Sequence, residues 1–197
     1  MEIKCERLTL KPLSLKELET YMASREKFEE SSNLNVSGVK LEGECCEELL
    51  EIIESNPGVW SSNDYLSYTL WLLIDTKLKS IVGQFWFNGK PTENGELEMF
   101  FSIEKPFRKK GYATEAVKAL LEWVKGSQMF RVLLVEAFDH NLAAINSLKK
   151  LGFRKIEPDT DSFLSFSDED EELPISTNYF LVAYAKDLKS EELDFEV

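Results

Sequence analysis

The strongest constraint on this chain's fold is a change of hydrophobic period across one basic turn. Before the turn, Tyr68–Asp75 is a nearly continuous apolar run, the pattern of a strand buried on both faces. Ile81–Asn88 follows, and Pro91–Gly95 turns the chain into Glu96–Ile103, close enough in sequence for an antiparallel meander. After Lys105-Pro106-Phe107-Arg108-Lys109-Lys110-Gly111 the period becomes helical. Ala113, Ala116, Val117, Leu120, Trp123 and Val124 form one stripe, predicting an amphipathic helix from about Thr114 to Lys125. A short apolar strand, Val132–Ala137, comes next. Leu142, Ile145, Leu148 and Leu151 then line a second helix ended by Gly152. Phe153–Glu157 and Tyr179–Ala185 read as the last two strands.

Upstream, Ile3–Leu10 alternates as a strand closed by Pro12. Ser14 with Glu17 is a capping box opening a short helix to about Ala23. Glu42–Ser55 reads as a further helix, stopped by Asn56-Pro57-Gly58. Neither an internal repeat nor a linker interrupts the pattern. The expectation is a single mixed α+β domain over residues 1–197, with helices on both sides of a sheet.

Charge narrows the partners. The chain has 23 Lys+Arg against 36 Asp+Glu, a net charge of −13, which argues against phosphate backbones and anionic lipid as ligands. With 43% hydrophobic residues it can build a sizeable core, which argues against disorder. Its longest apolar runs fall far short of the roughly 20 residues a membrane-spanning helix needs. No apolar signal segment opens the chain, and the odd set Cys5, Cys45 and Cys46 has no zinc-like spacing. A reduced, cytoplasmic protein without a metal is expected. The charge is also uneven. Between Ile156 and Ala185 there is no Lys or Arg but eight acids lie there, from Glu157 to Glu172, whereas Lys105–Lys110 carries four positive charges and no acid.

That basic strip ends a strand and precedes a helix. A helix N-terminus presents unpaired N–H groups and partial positive charge, and a glycine there lets a ligand approach the backbone. Arg108, Lys109, Lys110 and Gly111 therefore read either as an anion site for a phosphate or pyrophosphate, or as a solvated loop before an ordinary helix. There is no GxxxxGK[ST] or GxGxxG, which removes the commoner nucleotide loops.

Arg108-Lys109-Lys110-Gly111-Tyr112-Ala113 matches the Arg/Gln-x-x-Gly-x-Gly/Ala acetyl-CoA signature of the GNAT N-acetyltransferase superfamily. Gly111-Tyr112-Ala113-Thr114-Glu115-Ala116 resembles its ribosomal-protein N-terminal acetyltransferase branch. Glu6-Arg7-Leu8-Thr9-Leu10-Lys11-Pro12-Leu13 resembles that branch's opening strand. Asn141-Leu142-Ala143-Ala144, with Lys150-Leu151-Gly152-Phe153, resembles its second helix. The resemblance covers about residues 2–157. It implies a mainly antiparallel sheet of about seven strands, splayed between the fourth (Glu96–Ile103) and the fifth (Val132–Ala137). It implies that acetyl-CoA lies in the splay along main-chain groups of Phe101 and Ile103. The cofactor's pyrophosphate would sit on N–H groups from Lys109 through Gly111, Tyr112 and Ala113 to Thr114, with Arg108 and the lysines adding attraction and Asn141 and Asn146 adding contacts. The acceptor would be an amine, on a peptide N-terminus or a small molecule.

Transfer to an amine needs a group to remove the ammonium proton, and a carboxylate is the natural one. Glu98 is the candidate and Glu96 the second choice, since strand alternation puts both on one face opposite Leu97, Met99 and Phe101. The competing reading is a solvated face. Leu148 stands where many family members carry a tyrosine general acid, and Ala144 replaces a usual serine. These departures keep open a non-catalytic acyl-CoA-binding or protein-interaction module. Asn141 is a helix cap as readily as a cofactor contact. His140 and Asp139 read as structural before catalytic, and Cys45 and Cys46 as helix filler. Trp60 and Tyr65 are candidates to line an acceptor site. The acidic segment, about 158–173, would either attract a cationic acceptor or solubilise the chain.

Overall fold

The computed structural model describes residues 1–39, 55–56, 58–127, 130–156 and 181–187. The helix expected over Glu42–Ser55 and the acidic segment both fall on residues outside the description, apart from Ser55. Among the described residues, eight strands form one sheet: β1 (Ile3–Lys4), β2 (Leu8–Pro12), β3 (Trp71–Asp75), β4 (Ser80–Phe87), β5 (Glu96–Ile103), β6 (Val132–Phe138), β7 (Arg154–Ile156) and β8 (Leu181–Asp187). Their order is β1-β2-β3-β4-β5-β6-β8-β7. Every neighbouring pair is antiparallel except β5 and β6, which run parallel.

Eight strands stand where about seven were expected because the opening strand is not continuous. It breaks after Lys4, and β1 folds back on β2 with Ile3 opposite Leu10. The fourth and fifth expected strands are therefore β5 and β6. Tyr68 is not in β3; it ends a 3₁₀ turn, Asn63–Ser67, that leads into the strand.

Among the described residues, four α-helices cover the two faces. α1 (Leu15–Ala23) starts at the expected capping box, Ser14 and Glu17 bonding reciprocally. α2 (Arg25–Ser31) follows at once, capped by Ser24. α3 (Tyr112–Ser127) begins two residues before the predicted start, and α4 (Leu142–Lys150) is capped by Asn141. Gly152 takes the expected left-handed conformation, φ +79°.

Two apolar clusters hold the layers together. One joins α3 and α4 to the sheet through Trp71, Phe85, Leu97, Met99, Leu133 and Val135, among others. Within it Trp71 stacks on Phe85 at 5.3 Å and meets Trp123 at 5.5 Å. The other packs α1 and α2 on the opposite face through Leu18, Tyr21, Phe28, Leu72, Trp86 and Phe100. Buried Arg25 bonds Glu29 at 2.8 Å and Glu104 at 2.7 Å, joining α2 to the end of β5.

Gly83 of β4 stands opposite Ile103 of β5. A Cβ there would run into the Ser102 carbonyl oxygen and lie 2.9 Å from the Ile103 side chain. Backbone cannot give way as a side chain can, so Gly83→Ala is expected to cost about 1–3 kcal/mol. Urea denaturation measures this; an unchanged midpoint would contradict the packing described.

Candidate functional site

The ladder between β5 and β6 runs from Glu96 opposite Val132 to Met99 opposite Val135, and stops there. Beyond it, Gly83–Phe87 of β4 still pairs with β5, while Glu136–Phe138 pairs only with β8. Phe100 to Ile103 thus have one main-chain edge facing an opening between two parallel strands. This is the expected splay. The side chains of Phe101 and Ile103 pack on the α3-side cluster, Phe101 lying 6.3 Å from Phe85, so these residues offer the opening their main chain.

At the end of β5 the chain makes a 3₁₀ turn, Lys105–Phe107, and enters the basic loop. Lys109 and Gly111 both have left-handed backbones, φ +62° and +82°. For Lys109 that conformation costs roughly 1–2 kcal/mol. Tyr112, Ala113 and Thr114 open α3, where N–H groups have no carbonyl one turn behind them. The first internal bond runs from Glu115 N–H to the Gly111 carbonyl, at 3.1 Å. The result is a row of outward N–H groups at the positive end of a helix of 16 residues. Arg108, Lys109 and Lys110 are exposed around it; Arg108 Nε donates to the Ile103 carbonyl at 2.9 Å, and the Lys110 ammonium lies 5.4 Å over the Phe107 ring. The Tyr112 side chain turns inward. Its hydroxyl donates to buried Asp75 at 2.7 Å, which raises the tyrosine pKa. Burial pushes the Asp75 carboxyl up, but the Leu78 N–H, the Tyr112 hydroxyl and the Lys77 N–H together bring it below its usual value.

Glu96 and Glu98 share the face of β5 opposite Leu97 and Met99, as alternation predicts. That face is not simply solvated: Glu98 is half-buried beneath the α1–α2 side, and Asn88 Nδ2 donates to it at 2.9 Å. Burial raises the Glu98 pKa and the Asn88 bond pulls it back. Across the splay lies a residue that the sequence reading missed. Glu136 alternates with Val135 and Ala137 of the α3-side cluster, so it points to the same side as Glu98. Its Oε2 is buried without a hydrogen-bond partner among the described residues. Burial, and then the Glu98 charge, push its pKa up to about 7. The available signal was a carboxylate in an otherwise apolar strand, which requires a reason.

The remaining candidates lie apart from this pair. Asn141 uses its side-chain oxygen to cap α4, accepting from Ala144 N–H at 3.1 Å, and Asn146 is exposed on the same helix. Leu148 is buried in the core, while Leu142 at the start of α4 is 65% exposed. His140 and Asp139 form an exposed corner, Nδ1 and Oδ1 3.5 Å apart. Trp60 packs by the α1–α2 cluster with its ring 6.1 Å from Tyr65, and Tyr65 faces Lys11 and Glu17. Burial pushes the Cys5 thiol up to about 11, the reverse of nucleophile activation. Cys45 and Cys46 lie outside the described residues. Among those described, no helix is long and apolar enough to cross a membrane.

Known proteins agree with this architecture. An acetyltransferase (GNAT) domain family model matches residues 7–154. The uncharacterised N-acetyltransferase YjdG of Bacillus subtilis is 32% identical over 92 residues, which are 47% of this chain and 55% of YjdG. YycN of the same organism, also an uncharacterised N-acetyltransferase, is 34% identical over 82 residues, 40% of this chain and 51% of YycN. The matched stretch thus spans about half the length of these relatives. Among solved structures, the Salmonella typhimurium acetyltransferase that modifies the N-terminal serine of ribosomal protein L7/L12 superimposes with a TM-score of 0.61 at 14% identity, over 95% of this chain and 99% of the other. The chain belongs to the GNAT acetyltransferase family.

Proposed function

We propose that this protein transfers an acetyl group from acetyl-CoA to a primary amine. The observation that carries the reading is the opening of β5 from β6 directly beside a loop of outward N–H groups. An extended arm with amide groups fits the edge of Phe100–Ile103 left without a strand partner, where the Ile103 carbonyl is already held by Arg108 Nε, and a pyrophosphate fits Lys109–Thr114. A CoA complex of RimL, a ribosomal L7/L12 alpha-N-protein acetyltransferase, shares the fold with a TM-score of 0.60 at 13% identity, over 97% of this chain and 100% of the other.

When bound, acetyl-CoA supplies an acyl carbon whose C–S bond breaks as the amine nitrogen bonds to it. The chain's own task is to bring an ammonium to that carbon and remove its proton. Glu98 and Glu136 face one another across the start of the splay, where one negative charge attracts an ammonium and the half-buried setting raises carboxylate basicity toward neutral pH. Glu98 serves as proton acceptor, with Glu96 one step further along the same face. A protein N-terminus is the favoured acceptor, on the strength of the ribosomal-protein acetyltransferases among the structural neighbours.

Thiol release with a panel of N-terminal peptides and small amines tests the reading. Glu98→Gln is expected to lower kcat/KM by about a hundredfold to ten-thousandfold while CoA binding stays intact. Binding of CoA without turnover on any acceptor would instead mark a non-catalytic binding module, consistent with a core leucine at position 148.

The carboxylate pair also links to stability. An unfolded glutamate titrates near 4.3, roughly, whereas folded Glu136 does so at about 7. Between those values the folded state holds more protons, so the stabilisation from the protonated group is complete at low pH and lost as pH rises through about 7. Glu136→Gln, which cannot ionise, should therefore gain stability relative to the parent between about pH 5 and pH 8. Urea midpoints at the two pH values measure the gain, and a pH-independent difference would contradict the assignment.

A further inference from the structure

Arg7, in the bend between β1 and β2, reaches the cofactor loop from outside the sheet. Its Nε donates to Glu115 Oε2 at 2.7 Å, and its Nη1 donates to the Lys110 carbonyl at 3.1 Å. The guanidinium lies 4.6 Å over the Tyr112 ring. Its Nη2 is 3.4 Å from where a Cβ on Gly111 would stand. Glu115 is held in turn, since its Oε1 accepts the N–H groups of Arg7 at 2.7 Å and Leu8 at 3.2 Å. One side chain therefore grips α3, the aromatic ring opening it, and the peptide in front of it.

The grip on Lys110 has a directional consequence. Lys110 lies between the two left-handed residues, Lys109 and Gly111, a conformation that persists only where the surroundings over-determine it. In a trans peptide the C=O and N–H point in opposite directions. With the Lys110 carbonyl drawn to Arg7, the N–H of Gly111 is turned away from Arg7. If that peptide flipped, the row of donors would contain a carbonyl oxygen, which repels phosphate.

We propose that Arg7 is a positioning residue for cofactor binding, fixing the Lys110–Gly111 peptide so that the Gly111 N–H joins the other loop donors toward an anionic phosphate. The proposal rests on the reading of this loop as the pyrophosphate seat. Arg7 acts through the backbone, distinct from the attraction exerted by Arg108, Lys109 and Lys110.

Calorimetric titration with CoA of the full chain and three variants tests it. Gly111→Val probes the loop, since φ +82° excludes a β-branched side chain. Arg7→Met keeps an apolar stem over Tyr112 and removes the donors. Arg7→Lys keeps the charge but cannot grip Glu115 and the Lys110 carbonyl together. The expected result is CoA affinity at least tenfold weaker in all three. Undiminished binding by Gly111→Val would overturn the loop reading itself. Weak binding by Gly111→Val with parental affinity in Arg7→Met would overturn the clamp alone. Full recovery in Arg7→Lys would assign the effect to charge and overturn the clamp as well. If Arg7→Met fails to fold, Arg7→Lys decides by the same criterion. An amide-resolved titration adds a reading independent of overall stability: the Gly111 N–H resonance shifts with inorganic pyrophosphate in the parent and is expected to stay in place in both Arg7 variants.

Discussion

A sheet strand must satisfy its backbone groups on both edges, and along its second half β5 has a strand partner on one edge and none of the described strands on the other. The ladder to β6 ends at Met99 opposite Val135, while pairing with β4 continues to Ile103. Everything at the candidate site follows from that unmet demand. The two strands run parallel, so they open at the same end, and the chain leaving β5 has to form its loop there. The side chains of Phe101 and Ile103 are committed to the core. What the opening presents is main chain, a recognition surface that side-chain substitution alters little.

Charge is arranged in two separate zones about this opening. Beyond the end of β5 lie an exposed basic loop and a helix N-terminus; near the start of the opening lie two half-buried carboxylates. They sit at opposite ends of the same few residues, so an anion and a cation drawn to them would be brought to neighbouring parts of one cleft. A third set of charges pairs buried Arg25 with buried Glu29 and half-buried Glu104. It ties the helix pair to the end of β5, the strand that forms one wall of the cleft.

Much of this was legible in residue order. The change from strand to helical period located β5, the loop and α3, and alternation along Glu96–Ile103 placed both glutamates on one face. What escaped had no local pattern. α2 carries a single large apolar residue, Phe28, and no stripe; it is held by Phe28 against Tyr21 at 5.3 Å and by the ion pairs of Arg25. The break in the opening strand comes from pairing of Ile3 with Leu10, which alternation alone does not distinguish from a straight run. Glu136 was visible as a lone acid, but its relation to Glu98 depends on the parallel register. Arg7 carries no local signal of its role, because its partners Lys110 and Glu115 lie far downstream.

That distance has a consequence for how the molecule is made. Arg7 and Glu115 are 108 residues apart in the chain. During synthesis the N-terminal strands leave the ribosome long before α3, and although β2 can pair with β3 earlier, the bonds of Arg7 to Glu115 and to the Lys110 carbonyl must wait for it. Contacts so remote in sequence close a large loop and slow the search for the native state. The residue that grips the basic loop is thus made early and engaged late, so a nascent chain would complete this loop's geometry only after α3 has emerged and docked.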